Sequence, residues 1–223
     1  MSLIRGAALN DLLSAALRSN VMEPLGEGAL LLRGFAARDV GALFAVVTQI
    51  AAEAPFRNMI TPGGFRMSVA MTNCGDAGWI TDRRGYRYSP VDPVTQRRWP
   101  PMPPLFQQLA ARAAETAGFV DFAPDACLVN RYEPGARMTL HQDKNERDFA
   151  QPIVSLSLGL PATFLFGGMR RGDRPRRIVV ESGDVVVWGG PTRLVFHGVD
   201  KLAAGEDRVT GACRINLTLR KAL

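Results

Sequence analysis

From Ala126 onward the chain is a succession of short apolar segments, each closed by turn residues. They read CLVNRY, MTLHQD, IVSLSLG, TFLFGG, RIVVES, DVVVWGG, RLVFHG and CRINLTLR. Between them fall Pro134-Gly135, Gly167-Gly168, Gly183-Asp184 and Gly189-Gly190. The segments are too short for helices and rich in branched residues, so they predict strands. A run of short strands must close on itself or stack as two sheets, because open edges are a liability. The pattern therefore predicts a jelly roll or a related barrel. Many jelly rolls bind only sugars, so the architecture alone names no activity.

The first half reads differently. Residues 8–19 suggest a short helix, and residues 29–35, ALLLRGF, a strand. Over residues 38–53, Val40, Leu43, Phe44, Val47 and Ile50 recur at helical spacing. A strand is expected over 66–72 and a second helix over 105–117, with Leu105, Phe106, Leu109, Ala113 and Ala117 near one face. Between them, Asn73 to Pro104 is polar, basic and aromatic with little period, which predicts a long functional loop. The expected class is mainly β with flanking helices (α+β).

Composition bounds the rest. Of 223 residues 47% are hydrophobic and 22% charged, enough apolar material for the core of one large domain. The formal net charge of +6 favours polyanionic partners without identifying one. Three cysteines, Cys74, Cys127 and Cys213, are widely spaced and form no Cys-x-x-Cys, which argues against a disulfide framework or a structural zinc cluster. The first residues lack a signal-peptide pattern, and no stretch has the length of a membrane span. The expectation is a cytoplasmic protein in a reducing compartment, without membrane association.

The chain has only two histidines, and both fall at the ends of predicted strands. His141 opens the string His141-Gln142-Asp143, in which residues two apart on a strand share a face. His197 follows the segment that begins at Arg193. Two imidazoles and a carboxylate can fill one face of an octahedron and leave three positions open, as O₂ activation at iron(II) requires. His-x-Asp also arises by chance in short strands, and zinc competes for the same donors without offering redox chemistry.

The last segment carries Arg214, Asn216, Thr218 and Arg220 on one face by the period of two. If that face points inward, two buried guanidiniums demand anions, and a dicarboxylate would supply them through forked hydrogen bonds. If the segment lies at an exposed edge, the arginines are merely solvated. The periodicity favours neither.

The strings PFRNMITPGGFRMSVAMTNCGDAGW, GYRYSP, PDACLVNRYEPGARMTLHQDKNE, PIVSLSLGLPATFLFGG, GDVVVWGGPTRLVFHG and CRINLTLR resemble the bacterial AlkB family of nucleic-acid repair dioxygenases. The resemblance runs from about Leu30 to Arg220. It implies a double-stranded β-helix (jelly roll) over 126–223 within a single dioxygenase domain spanning 1–223. An N-terminal nucleotide-recognition lid, with the helices, would occupy roughly 1–125. It implies Fe(II) on His141, Asp143 and His197. It implies 2-oxoglutarate on Asn130, Tyr132, Arg214, Asn216 and Arg220, with Arg214 on the remote carboxylate, and O₂ as the second co-substrate.

Base-contacting residues implied by the same resemblance are Thr61, Met67, Trp79, Tyr86, Tyr88, Asn145 and Arg171. Aromatic faces suit a flipped base. Arg171 sits in a basic run with Arg170, Arg174, Arg176 and Arg177 that suits either solvent or phosphate. Asn145 is a departure: the family's bacterial type carries a carboxylate there, whereas an amide both donates and accepts without charge. The implied activity is oxidative removal of alkyl groups from bases of single- or double-stranded DNA, or of RNA. 2-Oxoglutarate goes to succinate and methyl lesions leave as formaldehyde, with the protein acting as a monomer. A related oxygenase acting on protein or a small molecule would share barrel and triad. A non-catalytic nucleic-acid-binding module would have no use for them.

Overall fold

The computed structural model describes residues 21–223; the helix expected over 8–19 lies outside them. In chain order the strands are β1 (Met22–Gly26), β2 (Ala29–Leu32), β3 (Arg57–Ile60), β4 (Arg66–Gly75), β5 (Gly78–Asp82), β6 (Gly85–Ser89) and β7 (Ala126–Tyr132). They continue as β8 (Met138–His141), β9 (Ile153–Gly159), β10 (Ala162–Phe166), β11 (Arg176–Val180), β12 (Val185–Trp188), β13 (His197–Val199) and β14 (Arg214–Arg220). Helix α1 spans Val40–Glu53 and α2 spans Pro104–Thr116, each within two residues of its expected bounds.

An eight-stranded sheet in the order β1-β2-β12-β9-β14-β7-β4-β3 faces a four-stranded sheet in the order β11-β10-β13-β8. This two-sheet sandwich is the expected jelly roll. Alternation along each strand of the large sheet divides its residues between two cores. Leu128, Tyr132, Ile153 and Trp188 pack with Phe164, Phe166 and Val199 of the small sheet. Val129, Leu156, Leu217 and Leu219 pack with Leu43, Val47, Phe106 and Leu109 of the helices on the outer face.

β14 is an interior strand, hydrogen-bonded to β7 and β9 on its two sides. That decides the question its periodicity left open. Arg214, Asn216, Thr218 and Arg220 all lie buried, on the face turned to the small sheet.

Three expectations are corrected. The segment 73–104 is not a continuous loop: β4 runs to Gly75, and β5 and β6 form a two-stranded hairpin. Cross-strand pairing of Trp79 with Tyr88 and of Thr81 with Tyr86 holds the hairpin. Its turn is closed by Asp82, which accepts from the Arg84 N–H and pairs with Arg87, and by Gly85 at φ 115°. A ribbon covered on one face only carries no long apolar period, so the pattern hid it.

The segment RLVFHG is not a strand from Arg193. A 3₁₀ turn at Gly190–Thr192 precedes it, and pairing begins at His197. Arg193 is buried by ion pairing instead. Likewise β8 stops at His141, so Asp143 reaches its place from the turn beyond rather than by strand alternation. β1 and β3 were not anticipated; both are short edge strands, and β1 contains Pro24.

Candidate active site

β8 and β13 pair so that His141 lies opposite His197, with ring centroids 4.4 Å apart. Asp143 Oδ1 is 3.8 Å from His141 Nε2, and Oδ2 is 3.7 Å from His197 Nε2. One donor atom from each of the three residues falls within 4.8 Å of the others. Nδ1 of His141 sits 2.9 Å from the Thr139 carbonyl, and Nδ1 of His197 sits 3.1 Å from the Val195 carbonyl. A carbonyl can only accept, so both Nδ1 atoms carry the hydrogen and both Nε2 lone pairs face the third ligand.

The electrostatics suit a cation. Burial, reinforced by neighbouring His141, pushes His197 down to about 3, so its imidazole is neutral near pH 7. Burial alone would raise the carboxyl of Asp143; the Arg220 guanidinium outweighs it and holds Asp143 well below the usual carboxylate range. Arg220 donates from Nη2 at 2.6 Å and from Nε at 3.0 Å to the same oxygen, Oδ2. A neutral His197 imidazole and an ionised Asp143 carboxylate are the protonation states in which these two groups bind a divalent metal.

Beside this centre lies a cavity between the two sheets. Its polar wall comes from Asn130, Tyr132, Ser155, Arg214 and Asn216. Arg214 is only 2% exposed. Its Nη2 donates to Ser157 Oγ at 2.9 Å, while Nε and Nη1 have no protein partner. Burial lowers its pKa. Orphaned guanidinium donors at this depth are costly unless an anion meets them. A dicarboxylate entering the cavity would meet Arg214 with one end and reach the metal ligands with the other, so the residues present fit both the ion and its co-substrate.

The β5–β6 hairpin stands over the same end of the sandwich. Trp79 and Tyr86 stack with centroids 5.6 Å apart and an interplanar angle of 19°. Trp79 and Met67 pack, half-buried, against the inner core. Trp79 Nε1 donates to Asn145 Oδ1 at 3.1 Å. Tyr86 is exposed, whereas the Tyr88 hydroxyl turns inward and donates to Glu146 at 2.6 Å. Thr61 shapes the β3–β4 turn, where its Oγ1 accepts from the Phe65 N–H.

Arg171 is exposed between β10 and β11, yet tied to the metal centre from outside. Its Nη1 donates to the Leu140 carbonyl at 2.7 Å, and its guanidinium lies 5.1 Å from the Phe196 ring centroid. Leu140 and Phe196 immediately precede the two histidines. Two other arginines of that run turn elsewhere: Arg176 donates to the Leu25 carbonyl and Arg177 pairs with Asp200.

Sequence reasoning missed Glu146, Arg193, Ser155 and Ser157. All four are buried polar residues facing the centre or its ligands. The one available signal was the alternation of Ser155 and Ser157 with Val154, Leu156 and Leu158, which marks a polar stripe on an interior strand.

Residues 28–220 match the model of the 2OG-Fe(II) oxygenase superfamily. The chain is 56% identical over 200 residues to the alpha-ketoglutarate-dependent dioxygenase AlkB of Escherichia coli (strain K12), covering 90% of this chain and 93% of that one. It is 47% identical over 188 residues to the AlkB homolog of Caulobacter vibrioides, covering 82% and 84%. Among solved structures it superposes on OsALKBH1 with a TM-score of 0.81 at 26% identity, covering 90% of this chain and all of that one. With a donor set suited to Fe(II), a cavity suited to 2-oxoglutarate and these likenesses together, the chain belongs to the AlkB family of the 2OG-Fe(II) oxygenase superfamily, whose members use Fe(II), 2-oxoglutarate and O₂.

Proposed function

We propose that this oxygenase removes alkyl groups from N-alkylated bases of DNA or RNA, and that formaldehyde leaves from methyl lesions as 2-oxoglutarate becomes succinate. Relatives named a nucleic acid dioxygenase (ALKBH1, Homo sapiens) and a DNA N(6)-methyladenine demethylase (ALKBH1C, Arabidopsis thaliana) support the substrate class. The observation that carries the reading is the Trp79–Tyr86 stack anchored to Asn145, two residues beyond Asp143. Its aromatic faces, tied through Asn145 to the loop that carries Asp143, suit a base turned out of its stack.

Bound iron supplies the oxidising chemistry at the alkyl carbon, coupled to decarboxylation of 2-oxoglutarate. The chain's own residues position the reactants. His141, Asp143 and His197 hold the metal, with Arg220 fixing which carboxylate oxygen of Asp143 stays free. The orphaned donors of Arg214, with Asn130, Tyr132 and Asn216, hold 2-oxoglutarate. Trp79 and Tyr86, with Thr61, Met67 and Asn145, hold the base, and Arg171 approaches the base or its backbone. The protein acts as a cytoplasmic monomer of one domain. No helix among the described residues is long and apolar enough to cross a membrane.

The test is anaerobic loading with Fe(II) and 2-oxoglutarate, then exposure to air with a panel of alkylated oligonucleotides. Mass spectrometry should show restored bases with stoichiometric succinate. Succinate formed without any change in the oligonucleotides, single- or double-stranded, would move the substrate to protein or a small molecule.

A further inference from the structure

Beyond Asp143 the chain turns and buries a second carboxylate that the reaction above does not use. Glu146 is 6% exposed and its partner Arg193 is 3% exposed. Glu146 Oε2 accepts from Arg193 Nη2 at 3.1 Å, and Oε1 accepts from the Tyr88 hydroxyl at 2.6 Å. Arg220 Nε lies 3.6 Å from Oε1.

Both arginines also grip Asp143. Arg193 Nη1 donates to its backbone carbonyl at 2.8 Å, and Arg220 Nη2 donates to its side chain at 2.6 Å. Arg193 further donates from Nε to the Gln151 carbonyl at 2.9 Å, pinning the far end of the same loop. Arg220 Nη1 closes the circuit on the Tyr88 hydroxyl at 3.3 Å. The members come from four places: Tyr88 from β6, Asp143 and Glu146 from the loop after β8, Arg193 from the turn before β13, and Arg220 from β14.

In a buried cluster of this kind each charge depends on the others for compensation, so loss of one member frees its partners to move. Asp143 lies past the end of its strand, and no ladder bond holds it there. Its orientation rests on Arg193 and Arg220, and Glu146 lies against both.

We propose that Glu146 is a positioning residue of the metal centre: it holds Asp143 through Arg193 and Arg220, and links Asp143 to the β5–β6 hairpin through the Tyr88 hydroxyl. Metal affinity then depends on a hydroxyl carried by the hairpin that would cover the base. By reciprocity, metal binding orders that hairpin. The inference deepens the proposed function but does not need it for its first readout.

The test uses the full chain, stripped of metal and titrated anaerobically with Co(II), read by ligand-field absorption. Partners outside the ligand set typically change metal affinity by about 10–100-fold. Glu146→Gln should weaken Co(II) binding by about tenfold. Tyr88→Phe keeps the ring and its packing, and should weaken it several-fold with an unchanged far-UV spectrum. The double variant should lose no more than Glu146→Gln alone, since both substitutions break one circuit.

Unchanged Co(II) affinity in Tyr88→Phe, or a double-variant loss equal to the product of the two single losses, overturns the proposal. Tyr88→Phe decides the matter alone if Glu146→Gln does not fold. A second readout follows succinate formed per base restored, which should rise in Tyr88→Phe. If the wild-type protein restores no base, the proposed function fails while the Co(II) affinities still decide the role of Glu146.

Discussion

The indole N–H of Trp79 donates to the side-chain oxygen of Asn145 at 3.1 Å, joining the aromatic hairpin to the loop that carries Asp143. Asn145 therefore uses its side-chain acceptor on the hairpin. Asn145→Asp preserves the acceptor for Trp79 and adds a negative charge beside the hairpin. In a partly dehydrated site that charge favours cationic lesions such as 1-methyladenine over neutral ones such as etheno-adenine. The ratio of kcat/KM for these two lesions in one oligonucleotide should rise several-fold. A ratio that stays flat would mean that Asn145 serves Trp79 alone.

Arg214 offers two buried donors without a partner. Arg214→Ala should remove the main counter-charge for the co-substrate and weaken 2-oxoglutarate binding by about 2–5 kcal/mol, the range for truncating one side of a buried charge pair. Metal affinity should survive, since Arg214 touches none of the three ligands. Isothermal titration with 2-oxoglutarate on metal-loaded protein reads the first quantity, and Co(II) titration the second. Equal losses in both would show collapse of the cavity rather than loss of a counter-ion.

Acid should destabilise the metal-free protein earlier than carboxylate titration requires. His197 is pushed from 6.5 to about 3 on folding. Between those values the unfolded chain binds a proton that the folded imidazole refuses, so stability rises with pH across this window and is lost on acidification. At pH 5 the loss relative to pH 7.5 is about 1–2 kcal/mol. Thermal melts of wild type and His197→Gln, both stripped of metal, check this: the wild type should lose more Tm between these pH values than the variant. Parallel losses would contradict it.

Oligonucleotide affinity should fall as salt rises, because lysines and arginines displace counter-ions from phosphates. Arg171→Ala should lower the slope of log affinity against log salt. Trp79→Ala should leave the slope alone and weaken binding by about 1–3 kcal/mol through lost stacking. Fluorescence anisotropy across a salt series separates the two, and an affinity indifferent to salt would count against a nucleic-acid substrate.

What the sequence determined by itself is what depends on local spacing. The period of two put Arg214, Asn216, Thr218 and Arg220 on one face, and the helical period marked α1 and α2 to within two residues. The two histidines and Asp143 stood out because the chain has no other histidine to confuse them. Side-chain direction along a strand or helix is a property of neighbouring backbone, so short windows reveal it.

Only the tertiary structure decided which way those faces point. β14 is inward-facing because β7 and β9 flank it and the small sheet covers it. Asp143 is in place because Arg220 and Arg193 hold it beyond the end of β8, from partners 77 and 50 residues away. Nothing local in the sequence marks Glu146 and Arg193 as buried, and their burial follows from pairing with each other 47 residues apart. The β5–β6 hairpin was hidden for the same reason: its register rests on cross-strand pairs and on Asn145, 66 residues from Trp79, rather than on any run of apolar residues. The burial of a charge depends on the partner it meets, and in a sandwich of crossing strands that partner is set by topology rather than by adjacent residues.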